Sequence, residues 1–439
     1  EGDWRQLQQA LALLDRNAKE GQLPVEDLRL KALVLSRRAD QQSRQQAIDL
    51  LEEIREVHNQ AFSPQEQFVL AQLYDKTGRW PTAREQMRDL ILKNPKEPRF
   101  LAAYMQMMLD HDTVPSNIEP SLRKLEALAP DAASTRFLKA RLLAKQGKPA
   151  EAVALLKALV PQPLPPEKVM ALRQVAAWLE QIGQIDAARE MLDEFAVNVP
   201  GGILAVAAFL GKHGTTDEAL DQVEKALQNK QVPVAAALPA VISIFTQKRK
   251  NKTVITPQQF ARAEVWFKQA AEEAPYGKAV QLQTAALRDL QGDYTEQIKI
   301  YRQFLARSDV LDREKAVVWN NLAFLLAAGG EQGPEALKMI NQAIDLLGPV
   351  PELLDTRAVA LTATGDYKAA ISDLRRAIAD DASAIMYFHQ AQAFMADGDS
   401  RSPAQVLNVA RNNYELTIDS VPKIERDNFQ KLVAALESP

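Results

Sequence analysis

Residues 64–95 read PQEQFVLAQLYDKTGRWPTAREQMRDLILKNP, and the spacing of apolar residues in this stretch predicts two short helices. Leu70 and Tyr74 lie about one helical turn apart, and Gly78 interrupts the period. The period resumes with Ala83 and Met87 and ends at a proline. Two helices of this length enclose too little volume to bury their own apolar faces. The hairpin therefore needs neighbours of the same kind.

The rest of the chain repeats the same plan. Each predicted second helix carries one residue, usually alanine, at the position where a small side chain lets two helices approach closely. These residues are Ala83, Ile118, Ala152, Ala188, Ala219, Ala263, Gln297, Ala336, Ala370 and Ala404. Their spacing is regular and centres on about 34 residues, as in repeat proteins built from helix pairs. Two longer intervals predict inserted turns at residues 247–257 and 327–334.

The repeated pattern resembles that of the tetratricopeptide repeat proteins, which share this period. The residues that carry the resemblance are Leu70, Ala71, Tyr74, Ala83, Met87 and Pro95; Trp319, Leu322, Ala323, Ala336, Ile340 and Ala343; and Leu354, Ala358, Leu361, Gly365, Tyr367, Ala370, Leu374 and Ala377. The resemblance, which is to long arrays of bacterial type, implies an all-α, right-handed α-α superhelical solenoid of about eleven helix pairs. The first helix of each pair would line a concave surface.

Glycines recur at the predicted turn inside seven of the pairs, where a left-handed backbone is usual. They are Gly78, Gly147, Gly183, Gly214, Gly292, Gly365 and Gly398. Along the chain we predict a leading helix at 1–25, repeats at 26–246, repeats with longer inserted turns at 247–418, and a capping helix at 419–439. In the capping helix Glu425 is expected on the polar outer side, and Phe429 and Leu432 on the inner side.

Composition narrows the function classes. The formal net charge is only −4 over 439 residues, so nucleic acid is not an expected partner. The chain has no cysteine, which excludes disulfides and thiolate metal sites. It has no apolar run long enough for a direct membrane span, and its first residues are no signal peptide. A start at Glu1 suggests a processed or excised segment. We expect a soluble protein, cytoplasmic or periplasmic.

The sequence shows no catalytic constellation. His58, His111, His213 and His389 lie in different repeats, so none has a second metal ligand nearby in sequence. Neither a phosphate-binding loop nor a nucleophile elbow is present. We therefore expect no enzyme activity and no cofactor. The basic run Lys248, Arg249, Lys250 and Lys252 is expected in an inserted turn, either as a solvated loop or as an electrostatic handle for an acidic partner or membrane headgroups.

A binding function would reside on the concave face. Projecting the first helices inward gives the candidates Phe68, Gln72, Asp75, Phe137, Arg141, Lys145, Arg173, Asn320, Asn321, Phe324, Asp355 and Phe388. The aromatic rings would bury peptide side chains, and amides such as Asn321 would bind a peptide backbone; the alternative is that several of them only pack against neighbouring helices. Some family members clamp a peptide carboxylate with Lys, Asn and Arg. Asn320 and Asn321 match one element of that clamp, but Thr356 and Arg357 follow, so the clamp is not carried over.

The sequence thus favours a non-enzymatic scaffold that holds a protein or peptide in its concave groove, with the oligomeric state left open. One alternative is an envelope scaffold for periplasmic assembly or secretion. The other is the recognition arm of a larger regulatory or catalytic polypeptide.

Overall fold

The computed structural model describes residues 4–17, 23–38, 40–58, 61–275, 277–330 and 332–437. Within them the secondary structure consists of α-helices and two single 3₁₀ turns, with no strand. The helices are α1 Trp4–Arg16, α2 Val25–Ser36, α3 Gln41–Glu56, α4 Pro64–Lys76, α5 Trp80–Lys93, α6 Pro98–Asp110, α7 Pro115–Leu128, α8 Ala133–Lys145, α9 Pro149–Lys157, α10 Met170–Gln181, α11 Ile185–Asn198, α12 Ile203–His213, α13 Thr216–Gln228, α14 Val234–Lys250, α15 Pro257–Glu273, α16 Lys278–Gln291, α17 Tyr294–Leu305, α18 Asp312–Ala328, α19 Gly333–Leu347, α20 Pro351–Thr364, α21 Tyr367–Asp380, α22 Ala384–Ala396, α23 Ser402–Tyr414 and α24 Arg426–Glu437. The all-α helical repeat fold is as predicted.

The helices group into two compact units. The central unit is Phe62–Val280, and the split unit combines Glu1–Ala61 with Gln281–Pro439. This grouping follows packing, whereas the segments 1–25, 26–246, 247–418 and 419–439 describe order along the chain. Those segment boundaries stay a prediction.

The hairpin of α4 and α5 shows how the local sequence builds each pair. The Ser63 side chain accepts a hydrogen bond from the Glu66 amide, and the Glu66 carboxylate accepts one from the Ser63 amide, so a capping box starts α4. Gly78 then takes a φ of +77°, which turns the chain into α5. Tyr74 and Met87 are buried between the helices, as the pattern predicted.

The predicted register holds nearly throughout. All the small-residue positions in the second helices are buried except Ala404, which is exposed. In α23 the neighbouring Pro403 takes the buried place, so the prediction there is wrong by one residue. At the non-alanine position Gln297, the side chain is buried and its Nε2 donates to the Tyr301 hydroxyl at 3.3 Å.

Most of the basic run lies in a helix rather than in a turn. Helix α14 continues to Lys250, so Lys248 lies in its last turn, where it is buried and donates to the Gly214 carbonyl. The prediction of a charged loop is therefore wrong for Lys248. Gly214 differs from the other turn glycines as well: its φ is −110°, whereas the other six have positive φ.

The N-terminal helices pack on the C-terminal repeats within the split unit. Helix α1 contacts α19, and Arg5 pairs with Asp312 at 3.6 Å. A Cβ atom added to Gly348 would lie 2.6 Å from the Trp4 ring. At the start of α3 the Gln41 amide donates to Asp380. The leading helix is therefore docked on repeats from the other end of the chain, a contact that the repeat pattern does not predict.

Candidate functional site

In the central unit, ion pairs join the C-terminal ends of successive first helices. The Asp75 carboxylate lies 2.6 Å from His111 Nε2, and Arg141 donates to Asp110 at 2.9 Å. Further along, Lys212 donates to Glu180 at 2.6 Å. Each pair is separated by about one repeat, which is why the partners face one another. We call these pairs, with Asp112–Lys145 and Glu180–His213, the ion-pair ladder.

The ladder lowers the pKa of two of its carboxyl groups. Asp112 is almost fully exposed, and a 2.7 Å hydrogen bond from Lys145 lowers its pKa. Burial alone would raise the pKa of Glu180, but the hydrogen bonds from Lys212 and His213 outweigh burial and lower it. Both groups therefore stay charged at neutral pH.

The central-unit candidates are largely engaged with neighbouring helices. Asp75, Arg141 and Lys145 belong to the ladder, and the rings of Phe68 and Phe137 pack against Phe100 and Trp178 at 5.3 Å and 4.9 Å. These ring contacts fit the alternative that several candidates only pack against neighbouring helices. Gln72 is half-buried and Arg173 exposed, and neither side chain makes a hydrogen bond or ion pair with the described residues.

In the split unit three polar residues occupy the same repeat position. Asn321, Asp355 and His389 follow each other at intervals of one full repeat on α18, α20 and α22. These first helices contact one another in order, so their equivalent residues share one face, here called the first-helix face. The Asp355 carboxylate lies 2.7 Å from His389 Nδ1, and Asn321 donates to the Tyr301 hydroxyl at 3.2 Å.

His389 bridges two carboxylates. Its Nε2 lies 3.1 Å from Glu425, so both ring nitrogens face carboxylate oxygens and both must donate. The His389 side chain is only 2% exposed. Burial alone would lower its pKa, but the charges of Asp355 and Glu425 raise the pKa well above the ordinary value. The imidazolium form is therefore held in place.

Glu425 reaches this position from the C-terminal segment. It ends a 3₁₀ turn at Lys423–Glu425 that leads into α24, and we call residues 421–437 the cap. The Ile424 amide donates to the Tyr294 hydroxyl at 3.2 Å, and Lys423 donates to the Gln291 carbonyl at 3.3 Å. The 3₁₀ turn also contacts α18, and α24 contacts α22, so the cap crosses the first-helix face. Glu425 was expected on the polar outer side and is instead buried, because His389 offers it a charged partner inside.

A pocket of about 190 Å³ remains between the cap and the first-helix face. We call it the His389 pocket. Its wall consists of Ala327, Ala328, Gly330, Val359, Thr362, Ala363, His389, Gln392, Glu425 and Asn428. One side is apolar, and the other carries the charged pair and two amides.

The candidate residues of the split unit lie in different environments. Asn320 donates to Asn321 at 3.3 Å, and the Phe324 ring lies 6.3 Å from the His389 ring. Phe388 is fully buried against Phe429, so its assignment to an accessible groove is wrong. The cause is a one-residue slip, because Phe388 lies one full repeat after the core residue Leu354.

Sequence reasoning missed His389 and Glu425 as parts of the site. The interval of one repeat from Asp355 to His389 was the available signal for the histidine. No periodic signal marks Glu425, since the cap lies outside the repeats. Among the described residues, no group of three His, Asp or Glu side chains is arranged to hold a metal ion. No helix in the described part of the chain is long and apolar enough to cross a membrane.

The comparison with protein families bears directly on the repeats. The family model described as Tetratricopeptide repeat matches residues 119–167 and 356–412, and the second stretch includes His389. These two stretches match the tetratricopeptide repeat, as the residue spacing predicted. The two matched stretches fall in different units.

The solved structures that are similar to this chain share little of its sequence. The yeast Tom70 crystal structure is 14% identical, with a TM-score of 0.43, and the match covers 94% of this chain and 95% of that one. The APC/C hetero-tetramer Cut9-Hcn1 is 13% identical, with a TM-score of 0.40 and coverages of 98% and 96%. The Naa15/Naa10 structure bound to HypK-THB is 16% identical, with a TM-score of 0.30 and coverages of 92% and 65%. No curated protein matches the chain.

Proposed function

We propose that the chain is a non-enzymatic scaffold that binds a protein or peptide on the surfaces formed by the first helices of its repeats. The His389 pocket is the principal binding site in this proposal. The observation that supports this is the pocket itself. Three successive first helices and the cap contribute side chains to one recess. In the central unit, by contrast, most candidate side chains are already engaged by the neighbouring helix.

The polar groups around the recess suit a peptide. The side chains of Gln392 and Asn428 make no hydrogen bond with the described residues, and each offers both an acceptor and donors. Apolar walls at Val359 and Ala363 would bury the stem of a side chain. Recognition of an extended peptide by a few side-chain pockets is a recurring mode of binding.

The chemistry of His389 argues against catalysis at this site. A general base needs a free imidazole nitrogen within reach of a substrate proton. Both nitrogens of His389 are engaged by Asp355 and Glu425, and the raised pKa keeps the ring protonated. We therefore assign the histidine a positioning role in binding.

Peptide binding can be measured with the full chain and fluorescent heptapeptide pools whose positions are randomised. We expect the pools to bind the wild type, and Ala363→Trp, which fills the pocket, to weaken binding at least tenfold. The matched control is Ala177→Trp, at an exposed alanine on α10 of the central unit. Equal loss from both substitutions would remove the pocket's special role. If no pool binds the wild type, the proposed function fails.

A further inference from the structure

Resting on the proposed function, we propose that the His389 pocket selects a cationic side chain of the bound peptide, lysine or arginine, through the carboxylate of Glu425. The proposal rests on charge, on an unused carboxylate oxygen and on size.

The charge around the recess does not balance. His389 carries one positive charge between the carboxylates of Asp355 and Glu425, which leaves one net negative charge. The Glu425 side chain is only 2% exposed. A buried net charge is costly unless another group pairs with it. A cation in the recess would complete the pairing.

The neighbouring cations of the cap are engaged elsewhere. Lys423 donates to the Gln291 carbonyl, and Arg426 pairs with Asp419 at 3.3 Å. Among the described residues, the pocket wall contains no lysine or arginine. The compensating charge is therefore expected from a ligand.

Glu425 also has an oxygen to spare. Its Oε2 accepts from His389, while Oε1 has no hydrogen-bond partner among the described residues. The residue lines the pocket, so this oxygen can accept a hydrogen bond from a group that enters. The side-chain oxygens of Gln392 and Asn428 supply further acceptors, as an ammonium with three donors requires.

The size of the recess fits one long side chain. A cavity of about 150 Å³ holds a benzene molecule, and the His389 pocket has a volume of about 190 Å³. The apolar wall formed by Ala327, Val359 and Ala363 would contact the methylene stem while the charged end meets Glu425. An anionic side chain would meet a buried carboxylate and is disfavoured.

The test uses the full chain and heptapeptide pools with a fixed central residue: lysine, arginine, norleucine or glutamate. We expect the lysine and arginine pools to bind at least tenfold more tightly than the norleucine and glutamate pools at about 150 mM salt. Glu425→Gln keeps an oxygen that accepts from His389 but removes the charge. It should therefore reduce the lysine preference to less than twofold.

Two controls make the outcome decisive. Asp419→Asn removes an exposed carboxylate that lies two residues before the cap, and we expect this variant to keep the full lysine preference. If it erases the preference as well, the general negative charge of the protein is responsible and the proposal is overturned. If Glu425→Gln does not fold, Ala363→Trp replaces it, because it plugs the recess and leaves the charged groups in place; an undiminished lysine preference in this variant would overturn the proposal.

The results also separate this inference from the proposed function. Equal binding of the norleucine and lysine pools would overturn the inference and leave a peptide-binding scaffold. Free butylamine added as a competitor distinguishes a small amine from a peptide side chain. Displacement of the pool by butylamine at concentrations equal to those of the peptide would overturn the assignment to a peptide.

Discussion

In each unit a histidine pairs with a carboxylate of the preceding repeat, but the surroundings of His111 and His389 differ. His111 in the central unit lies 2.6 Å from the Asp75 carboxylate, and its ring stacks on Trp80 at the protein surface. His389 in the split unit lies 2.7 Å from the Asp355 carboxylate and is buried, with a second carboxylate on its other side. The chemistry and the spacing are nearly the same. The cap, which covers the split-unit face, makes the difference.

Repeat position alone therefore does not set the role of a residue. An exposed ion pair contributes little to stability, because water already solvates both partners. When the cap buries such a pair, stability depends on each charged partner, because a buried charge without its counter-ion is strongly unfavourable.

The largest expected effect is that of His389→Ala. It leaves the buried carboxylate of Glu425 and the partly buried carboxylate of Asp355 without a cation, and it should destabilise the split unit by about 3–5 kcal/mol. His111→Ala loses an exposed pair and a ring stack, so we expect no more than about 2 kcal/mol in the central unit. Native-state hydrogen exchange of α20–α24 and α4–α7 measures the two units separately. Equal losses would contradict the comparison.

The next effect is a dependence of split-unit stability on pH. The pKa of His389 is raised in the folded state, so its stabilising contribution is fully present below the unfolded pKa of about 6.5. It is lost as the pH rises from there through the folded pKa, with a slope approaching about 1.4 kcal/mol per pH unit.

His389→Gln is the control for this slope, since glutamine does not titrate. Urea unfolding between about pH 6 and 10, followed by hydrogen exchange in α22, should show a falling free energy of unfolding in the wild type only. An identical slope in the variant would assign the pH dependence to other groups.

A smaller effect concerns the docking of α1 within the split unit. Gly348 and Gly365 both have a φ of +86°, so alanine at either site introduces backbone strain of about 1–3 kcal/mol. Only at Gly348 does the new Cβ meet the Trp4 ring, since the space around Gly365 is open. Gly348→Ala should therefore raise hydrogen exchange in α1, and Gly365→Ala should not. Equal exchange in both variants would show that α1 is not held by this contact.

The sequence predicted the features that local pattern controls. Helix pairs, the turn glycines except Gly214, and the buried position at Ala83 and its equivalents except Ala404 follow from residue spacing, and the structure confirms them. Errors of one residue occurred at Phe388 and Ala404, where two adjacent residues both suited a buried position. Alternation between core and face is only one residue wide on a helix, so a small slip moves a side chain from one to the other.

Contacts between distant parts of the chain left no such pattern. Glu425 on His389 and the Gln41 amide on Asp380 join segments outside the regular repeat register. Asp75 pairs with His111, and Arg141 pairs with Asp110. These ion pairs also depend on where the side chain of the neighbouring repeat points. The envelope scaffold, the recognition arm and the bacterial origin stay predictions, because one fold serves many functions.

The smallest expected effect is the coupling within the ion-pair ladder. A double-mutant cycle with Asp110→Asn and Arg141→Gln should give about 0.2–1 kcal/mol, since Asp110 is half exposed. The coupling should vanish near 1 M salt, where the screening length falls to about 3 Å. The matching cycle with Asp355→Asn and His389→Gln should keep its coupling in the same salt, because screening ions do not enter a buried contact. Equal salt dependence in both cycles would mean that the cap does not exclude water from His389, and the difference between the two units would lose its physical basis.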